Sequence, residues 1–164
     1  MWTSVNHRRL GAVLAAGALT ACGLLGIVAP AGAQVHPLVS CSGNGCTDKD
    51  PVQTGCSSDG RSILSGPVSY NGTSFGTIEL FWSNTCGTNW AELFPASANN
   101  PEQLPRSARV WRGSDGHSES YTYTGSGSPI WTNMVYAANT CAGASGTMDI
   151  SFASASGTVR QSGC

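Results

Sequence analysis

The chain has 164 residues, a formal net charge of −1 and only 10% charged residues, where about 25% is ordinary. At this length one domain is the default, and the absence of a basic surplus excludes nucleic acid as an expected partner. The 21 glycines, with plentiful Ser, Thr and Asn, make folding costly in backbone entropy, so a stabiliser beyond the apolar core is needed.

Residues 1–33 read as a secretory signal peptide. Arg8 and Arg9 precede the apolar, small-residue stretch Leu10–Ala29, and Ala31-Gly32-Ala33 supplies the cleavage site. Pro30 and the interrupting glycines argue against a stable membrane span. Two rival readings exist. Leu19-Thr20-Ala21-Cys22 resembles a lipobox that would lipid-anchor the chain through Cys22, but Gly23–Val28 would then leave an apolar segment directly behind the anchor. Arg8-Arg9 fits twin-arginine export, although Gly11 and Ala12 stand where bulkier apolar residues belong. Cleavage after Ala33 leaves residues 34–164 as a single domain, secreted, and removes one of the seven cysteines. Cys41, Cys46, Cys56, Cys86, Cys141 and Cys164 remain, and an even set in an exported domain implies disulfides. No C-x-x-C spacing occurs, so a cysteine zinc site is not expected; His36, the only histidine besides His117 beyond the signal, lies in the arm, so a histidine-built metal site is not expected either, and no cofactor is expected. Three bridges at ~2–4 kcal/mol each would match the whole stability of an ordinary domain, ~5–15 kcal/mol.

In chain order, Gln34–Ser40 reads as a loose arm and Cys41–Cys56 as a loop pinned by bridges, with a turn at Asp48-Lys49-Asp50-Pro51. Arg61–Ser65 is a short strand. Val68–Tyr70 and Thr73–Phe75 flank Asn71-Gly72, strong two-residue hairpin chemistry. Thr77–Ser83 alternates, with Ile78, Leu80 and Trp82 on one face and Thr77, Glu79 and Phe81 on the other. This predicts a central strand, with Trp90–Phe94 as its partner beyond the Cys86-Gly87 loop. Pro95–Pro105 is an irregular connection. Arg109–Arg112 and His117–Thr124 form a second hairpin around residues 113–116, with Glu119, Tyr121 and Tyr123 on one face. Ile130–Ala138 is apolar on both faces and reads as a buried strand. Thr147–Phe152 alternates, with Met148, Ile150 and Phe152 inward, and Gly157–Arg160 is the last strand. The sum is all-β: a small antiparallel sandwich or barrel of about eight short strands, disulfide-stabilised.

Cys41-Ser42-Gly43-Asn44-Gly45-Cys46, Asp50-Pro51, Cys56, Glu79-Leu80 and Ser83-Asn84-Thr85-Cys86-Gly87-Thr88-Asn89-Trp90 follow an order that resembles a secreted actinobacterial family of unknown function, catalogued as number 2690. The resembling block covers about a third of the chain. It implies no activity. Some members carry the module outside the membrane, behind a span and a cytoplasmic helix-turn-helix, which implies an extracellular sensing or binding role; this sequence shows neither part. Cys141 and Cys164 lie outside the block and flank the last strands, so they are expected to pair. The four family cysteines then pair among themselves, Cys86 with one of the other three.

Asp48 and Asp50 could ligate calcium, but Asp-x-Asp supplies too few of the six to eight oxygens needed, and Asp50 reads more simply as the cap of a turn. Arg106, Arg109 and Arg112 read as a solvated strand face rather than an anion site. Asp115, His117 and Glu119 could form an acid/base set for a secreted hydrolase, yet no G-x-S-x-G elbow is present. Trp82 and Trp90 are expected to fill the core. The best functional lead is an aromatic surface of Tyr121, Tyr123 and Trp111, since aromatic faces on a β scaffold stack on sugars or peptide side chains. The expected function is a non-catalytic extracellular binding module for a wall glycan or protein. A hydrolase, or a protease inhibitor using the Cys41–Cys56 loop, is the alternative.

Overall fold

The structure, a computed structural model, describes residues 38–96, 104–125 and 128–164. The signal segment, Cys22, His36 and most of the proline-rich connection lie outside the described residues. Among the described residues, nine antiparallel strands form one sheet that closes almost completely into a barrel: β1 Arg61–Tyr70, β2 Thr73–Ser83, β3 Thr88–Pro95, β4 Arg106–Arg112, β5 Ser118–Tyr123, β6 Ile130–Trp131, β7 Val135–Tyr136, β8 Ala142–Ile150 and β9 Ala153–Arg160. Their order is β5-β4-β8-β9-β1-β2-β3-β6, with β7 also on β3. Among the described residues the only helical elements are two short 3-10 turns, Gly43–Cys46 and Cys56–Asp59.

The Asn71-Gly72 turn joins β1 to β2, with both residues at positive φ (48° and 80°), as a mirror-image hairpin turn requires. The two strands are longer than the sequence suggests. Gly66-Pro67 does not end β1, because its other neighbour, β9, meets it at the single register pair Ser69↔Ser156, so the proline interrupts little pairing. The alternation of β2 places Ile78 and Leu80 in the barrel interior with Val68, Leu93, Val110, Ile130, Val135 and Met148.

A second, smaller core lies on the other face of β3. There Trp90 packs with Cys46, Cys56, Cys86 and Met134 and stacks on Phe81, ring centroids 5.4 Å apart. Trp90 is buried as expected. Trp82 is only half-buried, because it sits on the inner face at the end of β2, where the barrel opens.

Three further expectations need correction. Ile130–Ala138 is not one buried strand: burial alternates through Ile130, Thr132 and Met134, while Trp131 and Asn133 are exposed, and pairing to β3 breaks between β6 and β7. Phe152 is 76% exposed, because it lies in the β8–β9 turn, edge-on to Tyr70, and not on a strand. Arg106 opens β4 and is only 1% exposed, so just Arg109 of the three arginines has an exposed strand position.

The cysteines pair Cys41–Cys46, Cys56–Cys86 and Cys141–Cys164. The first two bridges lie side by side, with Cys56 Sγ 3.8 Å from Cys41 Sγ and 3.9 Å from Cys46 Sγ. Next to them the Asp59 carboxylate accepts from Ser83 Oγ and from Thr85 N and Oγ1. Burial alone would raise the Asp59 pKa, but these donors outweigh it and hold it below the usual carboxylate value.

Two outcomes are expected. Peptide mapping of the non-reduced protein will return these three pairs, and any exchanged pairs formed under limiting reductant will mix the first two bridges with each other and not with Cys141 or Cys164. Because the folded Asp59 pKa is depressed, its stabilisation is present above the unfolded value of about 3.9 and is lost as pH falls through the folded value. Asp59→Asn should therefore lose about 1–2 kcal/mol at neutral pH, with the gap from wild type closing in acid, as read by denaturant titration at several pH values.

Candidate functional site

The barrel is open between its edge strands, β5 on one side and β6 and β7 on the other. The disulfide-pinned segment 41–56 lies along this seam. Asp48 N donates to Met134 O at 3.0 Å and Met134 N to Lys49 O at 2.9 Å, while Gly43 N donates to Cys86 O at 2.9 Å. These bonds tie the segment to the barrel wall, so the geometry gives no support to a protruding inhibitor loop.

Asp50 has two functions. Its Oδ1 accepts from Val52 N and Gln53 N at 2.7 and 2.9 Å, the turn cap the sequence suggests. Its Oδ2 accepts from Trp131 Nε1 at 3.1 Å, fixing an indole on β6. Across the seam, β5 places Tyr121 and Tyr123 in register with Ala108 and Arg106. Tyr121, Tyr123 and Trp131 are 47%, 38% and 38% exposed. With Asp50, Ser120 and Asn133 they line a cleft of about 410 Å³.

Arg106 lies under this cleft. Its guanidinium donates to Gly125 O at 2.7 Å and Ser128 O at 2.6 Å and stacks 4.9 Å from the Tyr123 ring, and its Nε has no partner among the described residues. Burial lowers its pKa, an effect only partly offset by Tyr123. It therefore ties the Gly125 and Ser128 carbonyls together and supports the Tyr123 ring from beneath.

Trp111 is not part of this surface. It pairs with Ser118 on β5, and the two-residue period puts it on the opposite face of the sheet from Tyr121 and Tyr123. There it lies near Arg109, 5.8 Å from ring centroid to guanidinium.

The anticipated Asp115/His117/Glu119 set is rearranged. Asp115 is held by Arg112 through two bonds, at 2.8 and 2.7 Å, and accepts the His117 backbone N–H at 3.0 Å. The Arg112 guanidinium keeps the Asp115 carboxyl well below its usual range, and the same pairing raises Arg112. The His117 imidazole turns the other way: Nε2 is 2.7 Å from Asp48 Oδ1 and 3.6 Å from Glu119 Oε1. Burial, then the approach of Asp48, raises the Glu119 pKa, against smaller opposing effects of His117 and Asn133. Asp48 reaches this position with a left-handed backbone, φ 66°.

Trp131, Asn133 and the Asp48–His117 contact were not picked out from the sequence as site features. The first two had only a weak signal: Trp131 and Asn133 share a parity, but neither they nor Ile130, Thr132 and Met134 are uniformly polar or apolar, and only the structure shows the second set buried and the first exposed. The third had none, since the partners are 69 residues apart.

No curated protein and no solved structure matches the chain. A family match runs from the first 3-10 turn to the middle of β8 and so contains the seam, the cleft and the His117 cluster. Matched over residues 44–146, the chain belongs to the family described as "Protein of unknown function (DUF2690)".

Proposed function

We propose that the domain is an extracellular binding module whose seam cleft takes a cell-wall saccharide. The observation that carries this reading is the convergence of three exposed rings, Tyr121, Tyr123 and Trp131, on one cleft with hydrogen-bonding groups at Asp50, Ser120 and Asn133. Sugar rings present apolar C–H faces and a hydroxyl rim, and rings bordered by amide and carboxylate groups complement both. The rings sit on strands, and Trp131 is anchored through its N–H, so little ordering would be needed on binding. Export supports an extracellular site: three disulfides suit an oxidising compartment, and residues 1–33 have the charged, apolar and small-residue regions of a cleaved signal. Among the described residues no helix is long and apolar enough to cross a membrane.

A second reading, hydrolysis, is favoured by one distance, the 2.7 Å between His117 Nε2 and Asp48 Oδ1. A carboxylate-oriented imidazole is a general-base arrangement. Here Asp48 takes the role the sequence assigned to Asp115.

Titration calorimetry with a β-1,4-linked amino-sugar oligosaccharide separates these readings. Tyr121→Ala and Trp131→Ala should each weaken binding about tenfold, roughly 1.4 kcal/mol, while Trp111→Ala on the opposite face should leave it unchanged. Binding indifferent to Tyr121 and Trp131, or no binding, would overturn the cleft. New reducing ends appearing with wild type and lost in His117→Ala would establish the hydrolase instead.

A further inference from the structure

We propose that Asp48, His117 and Glu119 form a binding site for one borderline divalent metal ion, with Zn²⁺ the best match. One imidazole nitrogen and two carboxylates bring their ligand atoms within 4.8 Å of one another. Mixed nitrogen and oxygen donors suit zinc and its neighbours, whereas calcium and magnesium take oxygen-rich shells.

The spacing fits. Ligand atoms about 2.1 Å from a tetrahedral zinc lie about 3.4 Å from each other. The two distances from His117 Nε2, 2.7 Å to Asp48 and 3.6 Å to Glu119, fall on either side of that value. Small rotations of half-exposed side chains would close the difference. Side-chain exposures of 61%, 34% and 22% for Asp48, His117 and Glu119 leave an approach from solvent and an open coordination position.

The ligands are also supported from outside, as metal ligands generally are. Asn133 lies beside Glu119 and favours its charged form. The His117 backbone is fixed by Asp115, itself clamped by Arg112. Asp48 is held by its N–H on Met134 O. Independently of these bonds, two carboxylates are brought together beside a single imidazole, a like-charge approach that a dication would turn into attraction. The ligands come from the pinned segment, the β4–β5 turn and β5, so a bound ion would cross-link the seam.

This proposal does not depend on the saccharide reading, and its test contains no saccharide. The disulfide-bonded full chain, stripped with a chelator and free of titratable thiols, is titrated with Zn²⁺ by calorimetry and melted with and without the ion. One ion per chain, saturable in the micromolar range, and a Tm higher by several degrees are expected. His117→Ala and Glu119→Gln should each weaken uptake at least tenfold and abolish the Tm shift, and Tyr121→Ala should retain both. A zinc-dependent shift of the His117 ring resonances would place the ion at the imidazole. If His117→Ala loses its near-ultraviolet circular dichroism, Asp48→Asn, a near-isosteric change at an exposed side chain, takes its place. Absence of saturable uptake, uptake undiminished in the folded variants, or preference for Ca²⁺ over Zn²⁺ would overturn the site.

Discussion

The Cys56–Cys86 bridge is the constraint on which the arrangement of the seam depends. It joins the second 3-10 turn, which ends the pinned segment, to the β2–β3 turn over a sequence separation of 30. Closing a loop of that length contributes roughly 3–4 kcal/mol, a large share of the ~5–15 kcal/mol available to a domain. The segment could not hold itself in place otherwise. Its buried apolar anchoring is small: Pro51, and Cys46 and Cys56 packed against Trp90 and Met134. The Asp59 bonds to Ser83 and Thr85 reinforce the same junction from the polar side. Asp48 and Asp50 are therefore positioned by covalent closure more than by packing.

The barrel's incompleteness explains why these two aspartates matter. A sheet edge presents unpaired N–H and C=O groups, which proteins blunt by covering or by interrupting the strand. Here β6 and β7 are two residues each, and the pinned segment covers the gap between them by exchanging backbone bonds at Met134. Where the ladder stops, side chains replace it: Asp50 to Trp131, Asp48 to His117, Arg112 to the Tyr136 carbonyl. Polar groups and rings that elsewhere would be inside the wall or out in solvent are thus gathered along one line, which makes the seam the place for chemistry.

Much of the fold was legible because its signals are local. Asn71-Gly72 carries the turn in its own φ preference, the alternation of Thr77–Ser83 carries the core face, and the even cysteine set carries the bridges. The first half of β8 was not legible. Ala142-Gly143-Ala144-Ser145-Gly146 lacks the β-branched and aromatic residues that mark strands. The structure supplies the reason: a Cβ at Gly143 would lie 2.2 Å from the Trp111 ring, and one at Gly146 3.0 Å from Leu93. These residues are small because of what crosses them, and that is fixed by tertiary packing. The seam contacts were hidden for a related cause, since they join parts of the chain that only barrel closure brings together.

The aromatic surface shows how one unit of parity decides a site. Trp111 and the two tyrosines are close in sequence and lie on adjacent strands, so composition alone groups them. The Val110↔Glu119 and Ala108↔Tyr121 pairs of β4 and β5 set the tyrosines on the face of Val110 and Ala108, leaving Trp111 opposite. The partner the tyrosines gain is Trp131, from a strand that touches neither β4 nor β5 through its ladder. Its indole is held by Asp50, next in line to the aspartate that meets His117. Cleft and His117 cluster thus share one support, the pinned segment. Opening the two neighbouring bridges would release both sites, while the β8–β9 end, closed separately by Cys141–Cys164, keeps its own cross-link.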